Sequence, residues 1–389
     1  MSNTVELGVE PVSLPLLACT SKARILLEDG TAVEACGFGA EATVTGELVF
    51  TTAMTGYPES LTDPSYMGQI LVITHPMVGN YGVPRVRVEN GLSLNMESES
   101  VKVWGLLVSE YPEYSHPEAV QSLGEWLESS GVPGAYRLDT RWLVKKVRTR
   151  GVMQAVVSVS REPPGWEELW RRLRSSPRYD DIDYTAIASP KAPLAYKPGG
   201  TARGRVSLLD CGVKHGIVRS LLRAGLEVVR MPCNSSADEL LDGFDGVVLG
   251  SGPGNPRLLA RQSRIAAEVA TSGKPVLGIC LGMQLLALGL GARVYKMKFG
   301  HRGVNKPVKD LETGRCYITT HNHGYAVDQD SLEEADLKPW MLNPDDNTLE
   351  GVKMRGAPVM ATQFHPEAGP GPWDSSWIFH RFASMVEGV

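Results

Sequence analysis

Over the first 155 residues, apolar positions come in short bursts. Runs at 23–27, 48–52, 69–74 and 103–108 are rich in aliphatic side chains, and turn formers such as Glu28-Asp29-Gly30 and Asp63-Pro64-Ser65 separate them. Bursts of this length bounded by Gly, Pro and Asp predict strands. The spacing at 118–128 and 140–149 instead predicts helices. Strands followed by helices, without regular alternation, predict an α+β domain over residues 1–155.

Residues 156–204 read as a connection. The stretch 161–178 predicts one short amphipathic helix with many arginines, and 189–205 holds Pro190, Pro193, Pro198, Gly199 and Gly200, which favour extended chain. The arginines read as one exposed helix face, because the chain as a whole is acidic.

From residue 205 the rhythm changes. Apolar strands are predicted at 206–209, 226–231, 246–249 and 275–279, and helices at 217–224, 237–241, 258–271 and 281–290. Glycines stand where three of the helices end: Gly225, Gly273 and Gly291. Continuous apolar strands alternating with helices predict a doubly wound, mostly parallel sheet covered on both faces, here over 205–389. The overall fold class is therefore α/β with an N-terminal α+β domain. In such sheets, sites form at the carboxyl ends of the strands.

Composition narrows the function class. The chain has 389 residues, 42% hydrophobic and 21% charged, with a net charge of -5. That suits two or three globular domains and gives no reason to expect nucleic acid or an anionic membrane as partner. Glu6 and Glu10 stand where a signal peptide would carry Lys or Arg. Pro15 breaks the apolar stretch 12–18, so neither a signal peptide nor a membrane span is expected. The six cysteines (Cys19, Cys36, Cys211, Cys233, Cys280 and Cys316) are scattered with no CxxC pair. This spacing predicts neither a disulfide framework nor a zinc ribbon, and points to the reducing cytoplasm. No stretch fits a P-loop, since Gly273-Lys274 runs into Pro275.

The chemistry concentrates at a few places. Gly278-Ile279-Cys280-Leu281-Gly282 lies where the fourth strand gives way to a helix. It has the form of a nucleophile elbow with Cys in place of Ser. A strained turn presents the thiol at a helix N-terminus, and the Leu281 N–H points at a developing oxyanion. His365, in His365-Pro366-Glu367 after a β-like run at 359–364, supplies a base that Glu367 orients. The loop Gly252-Pro253-Gly254-Asn255-Pro256 follows the third strand and offers Gly252 as a second oxyanion donor. His75, His116, His215 and His380 read as structural or merely exposed. His321 and His323 form an HxH pair, but no carboxylate or Cys cluster accompanies it in sequence, so no metal is expected.

Together these segments resemble the class I glutamine amidotransferases. The stretches at 250–256, 278–286 (GICLGMQLL) and 363–367 (QFHPE) carry the general pattern. The stretches at 300–308 (GHRGVNKPV) and 322–327 (NHGYAV), with 46–70 (GELVFTTAMTGYPESLTDPSYMGQI), 76–82 and Asp139-Thr140-Arg141, narrow the resemblance to the small subunits of carbamoyl-phosphate synthetases, over nearly the whole chain. The resemblance implies that Cys280 attacks the glutamine side-chain amide, with His365 as base and Glu367 as its orienting acid. It implies that Gly252 and Leu281 hold the oxyanion, and that Gly254, Gln284, Asn322, Gly324 and Tyr325 hold glutamine. At Ala53 this chain departs from members that have Ser, so any contact there comes from backbone. The resemblance further implies a large-subunit partner that carries the ATP and metal-ion sites, no cofactor in this chain, and a product that feeds pyrimidine and arginine biosynthesis.

Three other readings remain at this level. One is the glutaminase of another synthetase, which the first 155 residues disfavour. Another is a cysteine peptidase or γ-glutamyl hydrolase, which the glutamine-pocket residues disfavour. The third is a non-catalytic regulatory subunit, which the intact Cys, His and Glu disfavour.

Overall fold

A computed structural model describes Val12–Ser13 and residues 19–388. Glu6, Glu10 and Pro15, on which the reading of the N-terminus rests, lie outside the described residues. Among the described residues no helix is long and apolar enough to cross a membrane. The chain divides into two compact units. One comprises residues 1–51, 68–85 and 103–179; the other comprises 52–67, 86–102 and 180–389.

The first unit is built on an eight-stranded sheet. Its strands run in the order Val12–Ser13, Ala32–Gly39, Pro133–Tyr136, Gly105–Leu107, Gln69–Ile73, Ala42–Thr51, Met153–Ser160 and Ser21–Leu27, and the last also pairs with Ala32–Gly39. That extra pairing closes seven of the strands into a ring and leaves Val12–Ser13 at an edge. Ile25, Leu27, Leu48, Ile70, Leu106 and Val157 are buried. The helix Trp166–Ser175 covers the outside by setting Leu169 and Leu173 against Leu26 and Val156.

Two local expectations change here. The helix expected from 118 begins only at Leu123, because Ser122 and Glu125 form a capping box that fixes its start. Residues Ala119–Gln121 pair instead with Val83–Pro84. The second correction concerns cysteine. Cys19 and Cys36 form a disulfide, contrary to the expectation of free thiols. Cys19 lies just outside the strand Ser21–Leu27, so its place is set by the chain before the ladder and not by the hairpin register, and its Cα comes within 5.4 Å of that of Cys36. Sequence spacing carries no trace of that approach.

The second unit holds a ten-stranded sheet. Its parallel centre runs Leu226–Pro232, Gly204–Asp210, Gly246–Leu249, Val276–Ile279 and Val359–Thr362. Successive residues of these strands face opposite sides. Leu209, Val247, Leu249 and Val276 pack under the helices Ala237–Leu241, Ala260–Ala270 and Leu281–Gly289. Val206, Leu208, Val248, Leu277 and Ile279 pack under His215–Arg223 and Trp377–Glu387. Both faces are therefore dry, which explains the continuous apolar runs. Truncating a wholly buried side chain such as Leu277 costs about 2–5 kcal/mol.

Antiparallel strands extend this sheet. Leu194–Tyr196 pairs with Leu226–Pro232 at one edge. At the other, Leu349–Met354 and Leu337–Leu342 lead to the hairpin Val294–Asp310 and Cys316–Val327, which carries two register shifts. Four loops leave the carboxyl ends of parallel strands. They lead to Lys214, Gly252, Cys280 and His365.

Candidate active site

Cys280 follows the strand Val276–Ile279 directly and caps the helix Leu281–Gly289. Its backbone sits at φ 54 and ψ -104, a conformation that a side chain rarely adopts. The turn is tight because the helix lies hard against the sheet. A Cβ at Gly282 would stand 2.0 Å from the Leu249 carbonyl oxygen. The helix begins at Leu281, so the Leu281 N–H is among those left without an intrahelical partner, beside the thiol. Gly252 abuts the same place. A Cβ there would meet the Cys211 carbonyl oxygen at 2.5 Å and Leu281 Cδ2 at 2.8 Å.

The Cys280 sulfur is buried. It lies 3.9 Å from the Asn322 carbonyl oxygen and accepts from Gln363 Nε2 at 3.7 Å. Gln284 Nε2 donates to both the Tyr325 carbonyl and Gln363 Oε1, each at 3.0 Å. Gln284, Gln363, Asn322 and Tyr325 thus form one chain of polar contacts around the sulfur. The Asn322 side chain points elsewhere and donates to Asp63 Oδ2 at 2.9 Å. The Tyr325 hydroxyl donates to Asp180 Oδ1 at 2.6 Å, and Lys296 also bonds Asp180. Gly254 adopts φ +95 in its loop, and Gly324 faces Arg302 Nη2. Ala53 is buried in the segment 52–67 that also supplies Asp63.

His365 is wholly buried, and its backbone bridges to Thr320. Its Nδ1 hydrogen-bonds Glu367 Oε1 at 2.6 Å, which leaves Nε2 as the nitrogen that exchanges protons. Burial works against a charged imidazole here. The Glu367 carboxylate and the Cys280 sulfur outweigh it and raise the His365 pKa to about 10. Burial likewise works against an ionised Glu367, but His365 and Lys214 reverse that and hold its pKa below the ordinary carboxylate value.

Lys214 was not singled out by sequence reasoning. It is buried, with Nζ 3.4 Å from Glu367 Oε1, and donates to the Ala368 carbonyl at 2.5 Å. Burial would strip its proton, yet Glu367, Glu97 and Asp63 raise its pKa instead. Glu97 is itself fixed by the Gly216 N–H and Arg219. Asp63 and Gln363 were likewise assigned no role. Only the Gln363-Phe364-His365-Pro366-Glu367 motif hinted at Gln363. For Lys214 and Asp63 the signal is spatial, because their partners are far away in sequence.

The family described as "Glutamine amidotransferase class-I" matches residues 207–385. The family described as "Carbamoyl-phosphate synthase small chain, CPSase domain" matches residues 25–157. The carbamoyl phosphate synthase small chain of Sulfurisphaera tokodaii is 50% identical over 370 residues, covering 94% of this chain and 96% of that one. The same protein of Metallosphaera sedula is 48% identical, covering 93% and 95%. The arginine-specific small chain of Neurospora crassa is 42% identical, covering 95% and 81%. With two family matches that together span both halves of the sequence and relatives aligned nearly end to end, this chain belongs to the carbamoyl-phosphate synthase small-chain family.

Proposed function

We propose that this chain hydrolyses glutamine to glutamate and ammonia through Cys280, His365 and Glu367, and delivers the ammonia to a large subunit that makes carbamoyl phosphate. The observation that carries the reading is a strained cysteine at a helix N-terminus, beside a buried histidine whose far nitrogen is held by a carboxylate. The thiolate of Cys280 attacks the side-chain amide carbon. The N–H groups of Leu281 and Gly252 take the charge that develops on the oxygen. His365, protonated at Nε2, gives that proton to the leaving nitrogen, and ammonia departs from a γ-glutamyl thioester. Water then attacks the thioester, His365 Nε2 takes its proton, and glutamate leaves as the thiolate is restored.

Gly254, Gln284, Asn322, Gly324 and Tyr325 form the glutamine pocket, with Ala53 contributing backbone. Glu367 and Lys214 hold the histidine in its working tautomer. Asn322 Nδ2 gives one hydrogen to Asp63, which leaves its second N–H and its Oδ1 for glutamine. The first unit acts as the docking domain and the second, which includes 52–67 and 86–102, as the amidotransferase; the expected connection 156–204 is shorter, since Met153–Ser160 and Trp166–Ser175 belong to the first unit. ATP, bicarbonate and metal ions are handled by the large subunit, and this chain needs no cofactor for the hydrolysis. The complex works in the cytoplasm. A disulfide there fits an intracellular protein of a hyperthermophile better than one of a mesophile.

The test is ammonia release from glutamine by the isolated chain and by the chain reconstituted with its large subunit. Slow release alone and faster release in the working complex support the reading. Full-rate release by the chain alone would favour a free-standing glutaminase.

A further inference from the structure

Around Asn322, whose carbonyl lies 3.9 Å from the catalytic sulfur, a second group of buried side chains serves no step of the hydrolysis. The hairpin register sets His301 opposite His323 and Gly303 opposite His321, and Glu350 comes from the strand Leu349–Met354. All four residues are buried, and one potential ligand atom from each lies within 4.8 Å of the others. The carboxylate that the HxH pair lacks in sequence is thus supplied from a different strand.

Hydrogen accounting in this cluster leaves a gap. His323 Nδ1 faces the Tyr325 carbonyl at 2.9 Å, so that nitrogen carries the hydrogen and Nε2 is bare. His321 Nε2 faces the Thr319 hydroxyl at 2.7 Å, and that hydroxyl gives its own hydrogen to the Lys306 carbonyl. His321 Nε2 must therefore be the donor, which leaves Nδ1 bare. The two bare nitrogens stand 3.2 Å apart. Glu350 Oε2 lies 3.6 Å from one and 3.8 Å from the other, and has no hydrogen-bond partner among the described residues. With Glu350 ionised, three lone pairs converge on one point with no hydrogen between them. Unrelieved, that arrangement is repulsive and costly in a buried site.

A cation at that point relieves it. Neutral imidazoles are the form in which histidine binds metal. Bonds of about 2.0–2.2 Å to nitrogen and carboxylate oxygen imply tetrahedral edges of about 3.3–3.6 Å, close to the separations here. The surrounding contacts also match a metal site. Tyr325 O and the Thr319 hydroxyl fix the outer ring nitrogens of His323 and His321, and His301 Nδ1 steadies Glu350 Oε1 at 3.0 Å while its Nε2 bonds Asp346.

We propose that His321 Nδ1, His323 Nε2 and Glu350 Oε2 bind one first-row divalent cation, zinc being the best match to two imidazoles and a carboxylate. His301 orients the carboxylate from outside. The ion braces the strand that carries Asn322 and Tyr325 past the Cys280 sulfur, a positioning role with no part in the chemistry.

The test uses the full chain, produced with zinc or with cobalt in the medium, desalted, and assayed for metal by elemental analysis. About one equivalent of zinc per chain is expected, and the cobalt form should show the visible ligand-field bands of a four-coordinate site. His321→Gln and Glu350→Gln, checked for fold by circular dichroism, should each lower metal affinity by at least about tenfold. Should the variants fail to fold, the cobalt spectrum of the unmodified chain decides. Less than about a tenth of an equivalent in the unmodified chain after exposure to both metals would overturn the proposal. Unchanged metal content in both folded variants would also overturn it.

Discussion

The second unit buries two groupings of histidine with carboxylate, and they behave in opposite ways. At His365 the partner carboxylate, Glu367, also faces the buried cation Lys214, and Glu367 stays readily ionised. A fixed negative charge beside the ring then raises the His365 pKa to about 10. At His321 and His323 the carboxylate is Glu350, which no lysine or arginine among the described residues bonds. Burial raises its pKa to about 7. Burial and neighbouring histidines push His321 and His323 down, while His301, which bonds Glu350 directly, is raised. The residue types are the same. What differs is the group beside the carboxylate, a lysine at Glu367 and the histidine His301 at Glu350. One arrangement gives a charged pair suited to moving protons, and the other gives neutral donors suited to holding an ion.

The first way to break this comparison is to remove the ring. His365→Asn should lower glutamine-dependent carbamoyl phosphate synthesis by about 10²–10⁴-fold and leave ammonia-dependent synthesis intact. Both rates are measured on the reconstituted complex. If both rates fall together in a folded variant, His365 is structural and not the base.

Removing the cation comes next. Lys214→Met leaves Glu367 buried without its lysine, and losing one partner of a buried pair costs about 3–5 kcal/mol. Thermal unfolding of the variant should show a clear loss of Tm, and glutamine hydrolysis should fall with it. An unchanged Tm would mean that the lysine does not compensate Glu367.

Glu367→Gln sharpens the comparison through pH. Glu367 is the largest influence raising the His365 pKa, so removing its charge moves that pKa down. The leaving ammonia needs the imidazolium, so activity falls as His365 loses its proton. The alkaline limb of glutamine hydrolysis should therefore lie near pH 10 in the unmodified chain and shift lower, by about one unit or more, in the variant. Stability follows the same sign. A raised histidine pKa stabilises fully below its unfolded value of about 6.5, and that contribution is lost as pH rises through the folded value. Between these limits the variant's stability should depend less on pH than that of the unmodified chain. An alkaline limb that stays in place would remove Glu367 from the account.

The elbow was legible in sequence because everything that makes it is local: an apolar strand, two glycines and a helix within a dozen residues. The same holds for the helix Ala237–Leu241 and for the strand Gly246–Leu249, which form at the residues their patterns name. The hairpin Val294–Asp310 with Cys316–Val327 was not legible as a hairpin. Its register shifts interrupt the alternation that would have announced it. Lys214, Asp63 and Glu350 were missed for a second reason. Each is an ordinary charged residue whose meaning comes from a partner brought near only by the sheet order, as with Asn322 and Asp63, 259 residues apart. The Cys19–Cys36 bond belongs to the same class, since the path of the chain before the strand Ser21–Leu27 brings the two together.

The smallest expected effect lies in the glutamine pocket. Ala53→Ser restores a hydroxyl to a buried position, and one regained hydrogen bond is worth on the order of 1 kcal/mol, or a several-fold lower KM for glutamine. A sharply higher KM would show Ala53 to be a packing position that tolerates no added atom.

Glutamine hydrolysis stands on Cys280 carrying the glutamyl group. The direct measurement is acid quenching of the reconstituted complex during turnover of radiolabelled glutamine, followed by peptide mapping of this chain. The label should sit on the peptide that contains Cys280, as an acid-stable, base-labile adduct, and should vanish in Cys280→Ser while ammonia-dependent synthesis continues. Label on the peptides of Cys211, Cys233 or Cys316, or full glutamine hydrolysis by Cys280→Ser, would contradict it.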